Sequence, residues 1–331
     1  MSSDYAYAGS IVAKWASDMF QSGGFEPQFD TIAEAISMRG LNWGVYSQPA
    51  TTSDNDGNVI PVPGYFAVVR DDTNEALAVN GRAYTCVDNA TALAPIDNLT
   101  KHGYGIVDVA ELNGGRQLAA LLSSEPVKLA KNEILFPLCV CRTSHDGSWC
   151  YEEQFFVGRG ACMNGLIWTV SGFNAGGKHK HTAGIFGRLF DTAADVRNAA
   201  LYTKAVVAEA RVAIATPMSR EEAHTMLQAI VPDPEGDDVS KAKATRAENV
   251  RDAILARLYR SANLDEIRDT RWGLLNAVCE YVDHEGQTKL VERAVSVDPA
   301  RQLAELRFAK ATSANPLKER AHAVVIEGLN A

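Results

Sequence analysis

The chain has 331 residues, long enough for one large domain or two modest ones with a substantial core. Its 46% hydrophobic and 22% charged residues are the ordinary balance of a globular protein, and no apolar run approaches the roughly 18–20 residues that a membrane-spanning helix requires. A formal net charge of −9 excludes a protein that is basic throughout, though not a local basic surface.

The opening MSSDYAYAGS lacks the basic-then-apolar pattern of a secretory signal, so the expected compartment is the cytoplasm. The six cysteines (Cys86, Cys139, Cys141, Cys150, Cys162, Cys279) form no CxxC pair and lie mostly in apolar stretches, as free thiols do in a reducing environment.

Residues 1–28 mix Gly, Ser and aromatics without periodicity and read as an N-terminal arm. DTIAEAISMRGL reads as a short helix, with Thr31 and Glu34 as a capping box and Gly40 as its stop. LNWGVYSQPA is expected as a strand, TTSDNDGNVIPVPG as an exposed connection, and YFAVVRDD and EALAVNGRAYTCV as strands. DNATALAPIDNLTKHG reads as a helix.

Two hairpins follow. GIVDVAELNGGRQLAALLSS centres its turn on Asn113-Gly114, which places Glu111 opposite Arg116. EILFPLCVCRTSHDGSWCYEEQFFVG turns at Asp146-Gly147, setting Thr143 against Cys150 and Cys141 against Glu152. Pro137 marks its first strand as irregular or at an edge near its start. A glycine-rich stretch with interleaved aromatics comes next, and from Arg188 the periodicity is helical. One long helix ends at Pro217, a capping box of Ser219 and Glu222 opens another, PDPEGDD is a polar linker, and four helical segments complete the chain. The expected fold class is α+β: an antiparallel hairpin core packed by a long helix, with a helical C-terminal third. The expected divisions are 1–28, 29–231 and 232–331.

Between Gln154 and Phe190 there is no Asp or Glu, while Arg159, Lys178, Lys180 and Arg188 fall inside that stretch beside His179 and His181. Such a cluster can steer a polyanion. Trp168, Phe173 and Phe186 lie among these cations, and single-strand binders combine cationic groups that track phosphates with aromatic faces that stack bases. Neither Gly158-Arg-Gly160 nor Gly176-Gly177-Lys178 fits a nucleotide-binding loop. His179, His181 and Cys162 invite a metal reading, but no third and fourth ligand stands at recognisable spacing. Cys162 sits in no established nucleophile signature, His145-Asp146 falls in a hairpin turn, and Asp283-His284 ends a helix. No catalytic residue, metal site or cofactor is expected.

The segments TIAEAISMRGLNWGV, YFAVVRDDTNEALAVNGRAY, SHDGS, GRGACMNGL, KHKHT and TRWGLLNAVCEYVDHE resemble the phage/plasmid-like proteins of the domain of unknown function 932 family. The resemblance runs over roughly residues 30 to 312 and is most specific at Arg159, Cys162 and Asn164, at His181-Thr182, and from Asn276 to His284. It departs at Gly165, where Thr is expected, and at Lys180, where Arg is expected. It implies a gene carried by a mobile element, acting in the host cytoplasm, and no settled activity. The hairpin–helix order is also similar to the single-strand annealing proteins of phage recombination, the Redβ and Erf type, which hold single-stranded DNA in a basic groove.

The leading expectation is therefore a DNA-metabolism protein that binds single-stranded DNA as a homo-oligomer. Arg159, Lys178, Lys180 and Arg188 are expected on phosphates with His179 and His181 in support, and Asn164 and Phe173 on bases. The alternative from another class is an interaction protein that neutralises a host factor or joins a phage assembly. An enzyme built on Cys162 or a His179/His181 metal centre is the third.

Overall fold

The computed structural model describes residue 12 and residues 25–161, 164–167, 177–185, 193–235, 240–284, 298–326 and 328. Helix α1 (Ile32–Met38) starts where Thr31 Oγ1 accepts from the Glu34 amide at 3.2 Å. The return bond differs from a capping box, because the Glu34 carboxylate accepts from Asp30 N at 3.0 Å. Gly40, at φ 67°, closes the helix as expected.

Strands β1 (Val45–Ser53), β2 (Val59–Arg70) and β3 (Ala76–Gly81) form a three-stranded antiparallel sheet in sequence order. Here the expectation of an exposed connection over TTSDNDGNVIPVPG is corrected. Only residues 54–58 turn, held by Asp54 Oδ1 accepting from Asp56 N (2.9 Å) and Asn58 N (2.8 Å). The residues on either side, β-branched at Thr51, Thr52, Val59 and Ile60, pair as strand, with Thr52 opposite Ile60 and Ser53 opposite Val59.

Helices α2 (Asn89–Leu93) and α3 (Ile96–Thr100) replace the one helix expected over 88–103, with Pro95 at their junction. The hairpins then build the main sheet. Strands β4 (Gly105–Leu112), β5 (Gln117–Ser123), β6 (Val127–Lys128), β7 (Ile134–Ser144), β8 (Tyr151–Arg159), β9 (Asn164–Leu166) and β10 (Lys178–His179) run in the order β10-β8-β7-β5-β4, with β6 against β7 and β9 against β8.

Both hairpins exist, and both registers differ from a two-residue turn. Leu112 pairs with Gln117, leaving Asn-Gly-Gly-Arg as a four-residue loop, and Glu111 stands opposite Leu118 rather than Arg116. Gly115 explains the extra length. It adopts φ 80°, and a Cβ there would come within 2.8 Å of Arg70 Nη1. Glu111 instead receives Arg70 and Arg301, each at 3.3 Å, while Arg116 Nε donates to Leu77 O at 2.8 Å. In the second hairpin Cys141 faces Glu153 and Arg142 faces Glu152, one residue away from the expected pairing. Ser144 Oγ accepts from Trp149 N at 2.9 Å, which takes Cys150 out of the ladder. Strand β7 is interior, but Pro137 lies opposite the gap between the end of β5 and the start of β6, so its missing N–H breaks no ladder bond.

Alternation along β5 sends Leu118, Ala120 and Leu122 to one face, against α1 and α3, and Ala119 and Leu121 to the other. The second face is covered by Ala304, Phe308 and Ala311 of α8 (Pro299–Ala311). The long helix α4 (Ala193–Ala215) sends Ala199 to the α1 side of the sheet and Tyr202, Val206 and Ala210 to the helical layer. That layer comprises α5 (Arg220–Ile230), α6 (Lys241–Arg260), α7 (Arg271–His284) and α9 (Pro316–Val325). The Ser219/Glu222 capping box opens α5 as expected. Leu227, before the 232–238 linker, and Ile254, Trp272 and Ala321, after it, belong to one hydrophobic cluster with Leu135 and Val157 of the sheet. The architecture is therefore α+β, with antiparallel sheets and a helical C-terminal part. Among the described residues no helix is long and apolar enough to cross a membrane.

Candidate functional site

Arg159 is the last residue of β8, and the expectation that it contacts phosphate is corrected by its surroundings. Only 2% of its surface is exposed. Its Nε and Nη2 each reach a Glu133 carboxylate oxygen at 2.7 Å, and Nη2 also donates to Asn263 O at 2.8 Å. Trp272 Nε1 donates to the same carboxylate at 2.7 Å. This fork-on-carboxylate geometry joins the sheet end to α7, and it presents no cation to solvent.

Asn164 is likewise buried, which corrects its expected base contact. Its Oδ1 accepts from His284 Nε2 at 3.0 Å and its Nδ2 donates to Asn276 O at 3.4 Å. Beside it Gly165 N donates to Asp283 Oδ2 at 3.1 Å, and Lys318 Nζ bonds both Gly165 O (2.7 Å) and Asp283 Oδ1 (2.6 Å). A Cβ at position 165 would lie 1.6 Å from Ala311 O. The departure from Thr at this position thus has a steric reason: α8 passes too close to β9 for any side chain.

Lys178, His179, Lys180 and His181 lie at the β10 edge. Lys178 is 70% exposed on its side chain and pairs with Glu152 at 2.9 Å, an acid that Arg142 shares at 3.1 Å. His179 stacks on Tyr151 with ring centroids 6.2 Å apart. Lys180 is exposed. His181 turns inward, with Nε2 at 3.0 Å from Thr143 Oγ1 and its ring stacked on Tyr84 at 5.3 Å. Burial lowers the His181 pKa from its ordinary value, so the ring is neutral near pH 7. Phe173 and Arg188, with Cys162, Trp168 and Phe186, lie outside the described residues. Among the described residues no group of three or more His, Cys, Asp or Glu side chains stands close enough to hold a metal ion, and Cys86, Cys139, Cys141, Cys150 and Cys279 form no disulfide.

His181 and Lys180 line a cavity of about 390 Å³, together with Tyr84, Trp149, Cys150 and Thr182. A second depression of about 200 Å³ lies on the β1–β3 sheet, lined by Ser47, Phe66, Val68, Asn80, Arg82 and Tyr84. The two meet at Tyr84. Its hydroxyl donates to Ser144 O at 2.7 Å, and burial raises its pKa well above the ordinary value, so the hydroxyl keeps its proton. Sequence reading missed Tyr84, Trp149, Arg82 and Phe66, because they come from three separate segments that only the fold assembles.

The β7–β8 loop is pinned from below by His145. The Asn89 amide donates to Leu41 O (3.1 Å) and Trp43 O (3.0 Å), which turns its oxygen toward His145. His145 Nε2 therefore carries the proton that Asn89 Oδ1 accepts at 2.9 Å. Burial, then the neighbouring His181, push the His145 pKa down to about 4. The unfolded chain takes up this proton near pH 6.5 while the folded chain resists it, so the stabilisation is complete above pH 6.5 and is lost as the pH falls toward 4. From this group alone, urea denaturation should show about 2 kcal/mol less stability at pH 5 than at pH 7.5. A His145→Gln variant should lose most of that slope. An unchanged slope would show that the ring is solvated in the folded state.

The comparison with curated proteins and with solved structures returns no match. The family described as Domain of unknown function (DUF932) matches residues 76–305, which include β3, both hairpins, the Arg159 and Asn164 anchors and all of α7. With more than two thirds of its length matched, the chain belongs to the DUF932 family.

Proposed function

We propose that this protein binds single-stranded nucleic acid along the depression centred on Tyr84. It serves a phage or mobile element, as a homo-oligomer that aids single-strand annealing or recombination. The observation that carries the reading is the arrangement around Tyr84. Aromatic faces of Phe66, Tyr84 and Trp149 line two adjoining hollows, and the exposed cations Arg82 and Lys180 stand at them. Stacking on aromatic rings together with phosphate neutralisation is the chemistry of sequence-tolerant single-strand binding. Lys178, whose side chain is 70% exposed although its ammonium pairs with Glu152, extends the cationic edge beyond Lys180.

Fluorescence anisotropy with a labelled single-stranded oligonucleotide at two salt concentrations tests the reading. Binding should weaken steeply with salt. Replacing Arg82 and Lys180 together with Glu should lower the salt slope by about 1–2, at roughly 0.7 for each phosphate that is no longer neutralised. Trp149→Ala should cost about 1–3 kcal/mol of binding, the usual worth of a stacked base. Absence of binding at low salt would overturn the proposal and make a host or phage protein the partner to seek.

A further inference from the structure

The three-stranded sheet has two unlike faces. Direct pairing sets Ser47 opposite Val68 and Phe66 opposite Asn80, and this face lines the Tyr84 depression. The opposite face carries Gln48, Ala67 and Val79 in one row, with Tyr46 and Tyr65 two positions along their strands. It is apolar and faces solvent: Tyr65 is 52% exposed and Val79 59%. Beyond it the β1–β2 ribbon projects, exposing Val59 at 72% and Ile60 at 42% at its tip. The solvated face of an antiparallel sheet is ordinarily polar. Here β1, β3 and residues 59–69 of β2 contain no charged side chain, and the acids Asp54 and Asp56 are confined to the turn.

We propose that this outer face, with the ribbon tip, is where two copies of the chain pack against each other. The proposal extends the homo-oligomeric part of the preceding reading and is independent of nucleic-acid binding. The lack of charge singles out a second copy as occupant. Near a two-fold axis each residue meets its own counterpart, so any charge on the face would oppose itself. At −9 per chain, two copies repel through most of their remaining surface, and an uncharged face is where that repulsion is least.

Packing is face to face rather than edge to edge. Asp71 N donates to Gly44 O at 3.1 Å, and counting along the register from there turns the backbone of Pro49 toward the open edge of β1. Proline has no N–H to offer, so the edge is interrupted at mid-strand. A ribbon about 27 Å long and two to three strands wide can bury on the order of 400–600 Å² per copy, the scale of weak, reversible assemblies.

Sedimentation of the full chain between about 2 and 200 μM, without nucleic acid, should therefore show a monomer–dimer equilibrium with a micromolar midpoint. Tyr65→Lys combined with Val79→Lys should raise that midpoint at least tenfold while leaving thermal unfolding unchanged. Val59→Lys at the tip, far from the core, repeats the test should the double variant fail to fold. An Arg82→Glu chain, altered on the opposite side, should still dimerise even if it no longer binds oligonucleotide. A monomer throughout the range overturns the proposal. So do dimerisation insensitive to these lysines and association that appears only with added oligonucleotide.

Discussion

Replacing Glu133 with alanine is expected to cost about 3–5 kcal/mol of stability, the usual penalty for leaving one member of a buried ion pair without its partner. The Glu133 carboxylate receives two bonds from Arg159 and one from Trp272, so its loss leaves a buried guanidinium facing an empty space and an indole N–H without an acceptor. Urea denaturation would show the effect as a large fall in midpoint at unchanged slope. Removing both charges, as Glu133→Leu with Arg159→Met, should recover much of the loss, because the apolar pair no longer needs solvation. A single variant within about 1 kcal/mol of the parent would mean that water reaches Arg159. The guanidinium would then be available to a ligand after all.

Lys318→Ala should be comparably damaging, again about 3–5 kcal/mol. Lys318 and Asp283 are both fully buried, and the lysine also caps Gly165 O. Without it the Asp283 carboxylate keeps the Gly165 amide but loses its countercharge, and β9 loses its tie to α9. Lys318→Met paired with Asp283→Asn keeps the volume and removes both charges, and should recover much of the loss. If the double variant is no more stable than Lys318→Ala, neither the stranded charge nor the lost volume governs the site, and the lysine's bonds to Gly165 O and Asp283 do.

The elements of this fold were legible where local chemistry is decisive. Asn113-Gly114 and Asp146-Gly147 mark hairpins, and Ser219 and Glu222 mark a helix start. Registers were not legible, because they depend on how loops meet the rest of the molecule. The third left-handed residue, Gly115, lengthens the first turn beneath Arg70, and the Ser144–Trp149 bond lengthens the second. The candidate site divided in the same way. The stretch from Gln154 to Phe190 is acid-free along the chain, yet in space Glu133 and Glu152 come from neighbouring segments to meet Arg159 and Lys178. Charge counted along a sequence is blind to such partners. The motifs that carry the family resemblance most specifically, around Asn164 and from Asn276 to His284, meet one another in the interior. They are fastenings between β9 and α7, while the accessible aromatics and cations fall elsewhere in the resemblance or beside it, with Phe66, Arg82 and Tyr84 in residues 65–84 and Lys180 in residues 178–182.

The shared core across the 232–238 linker separates what the family has in common from what must fold as a unit. The matched stretch, 76–305, ends before α9 and begins after β2. A chain cut at those limits would keep Asp283 but not Lys318, Glu111 but not Arg70, and β3 without the strand it pairs with. It would also remove Phe308, Ala321 and Val325 from the two clusters they help to close. Inheritance and foldability therefore have different borders here. The flanking segments of this chain complete an interior that the matched stretch alone leaves open.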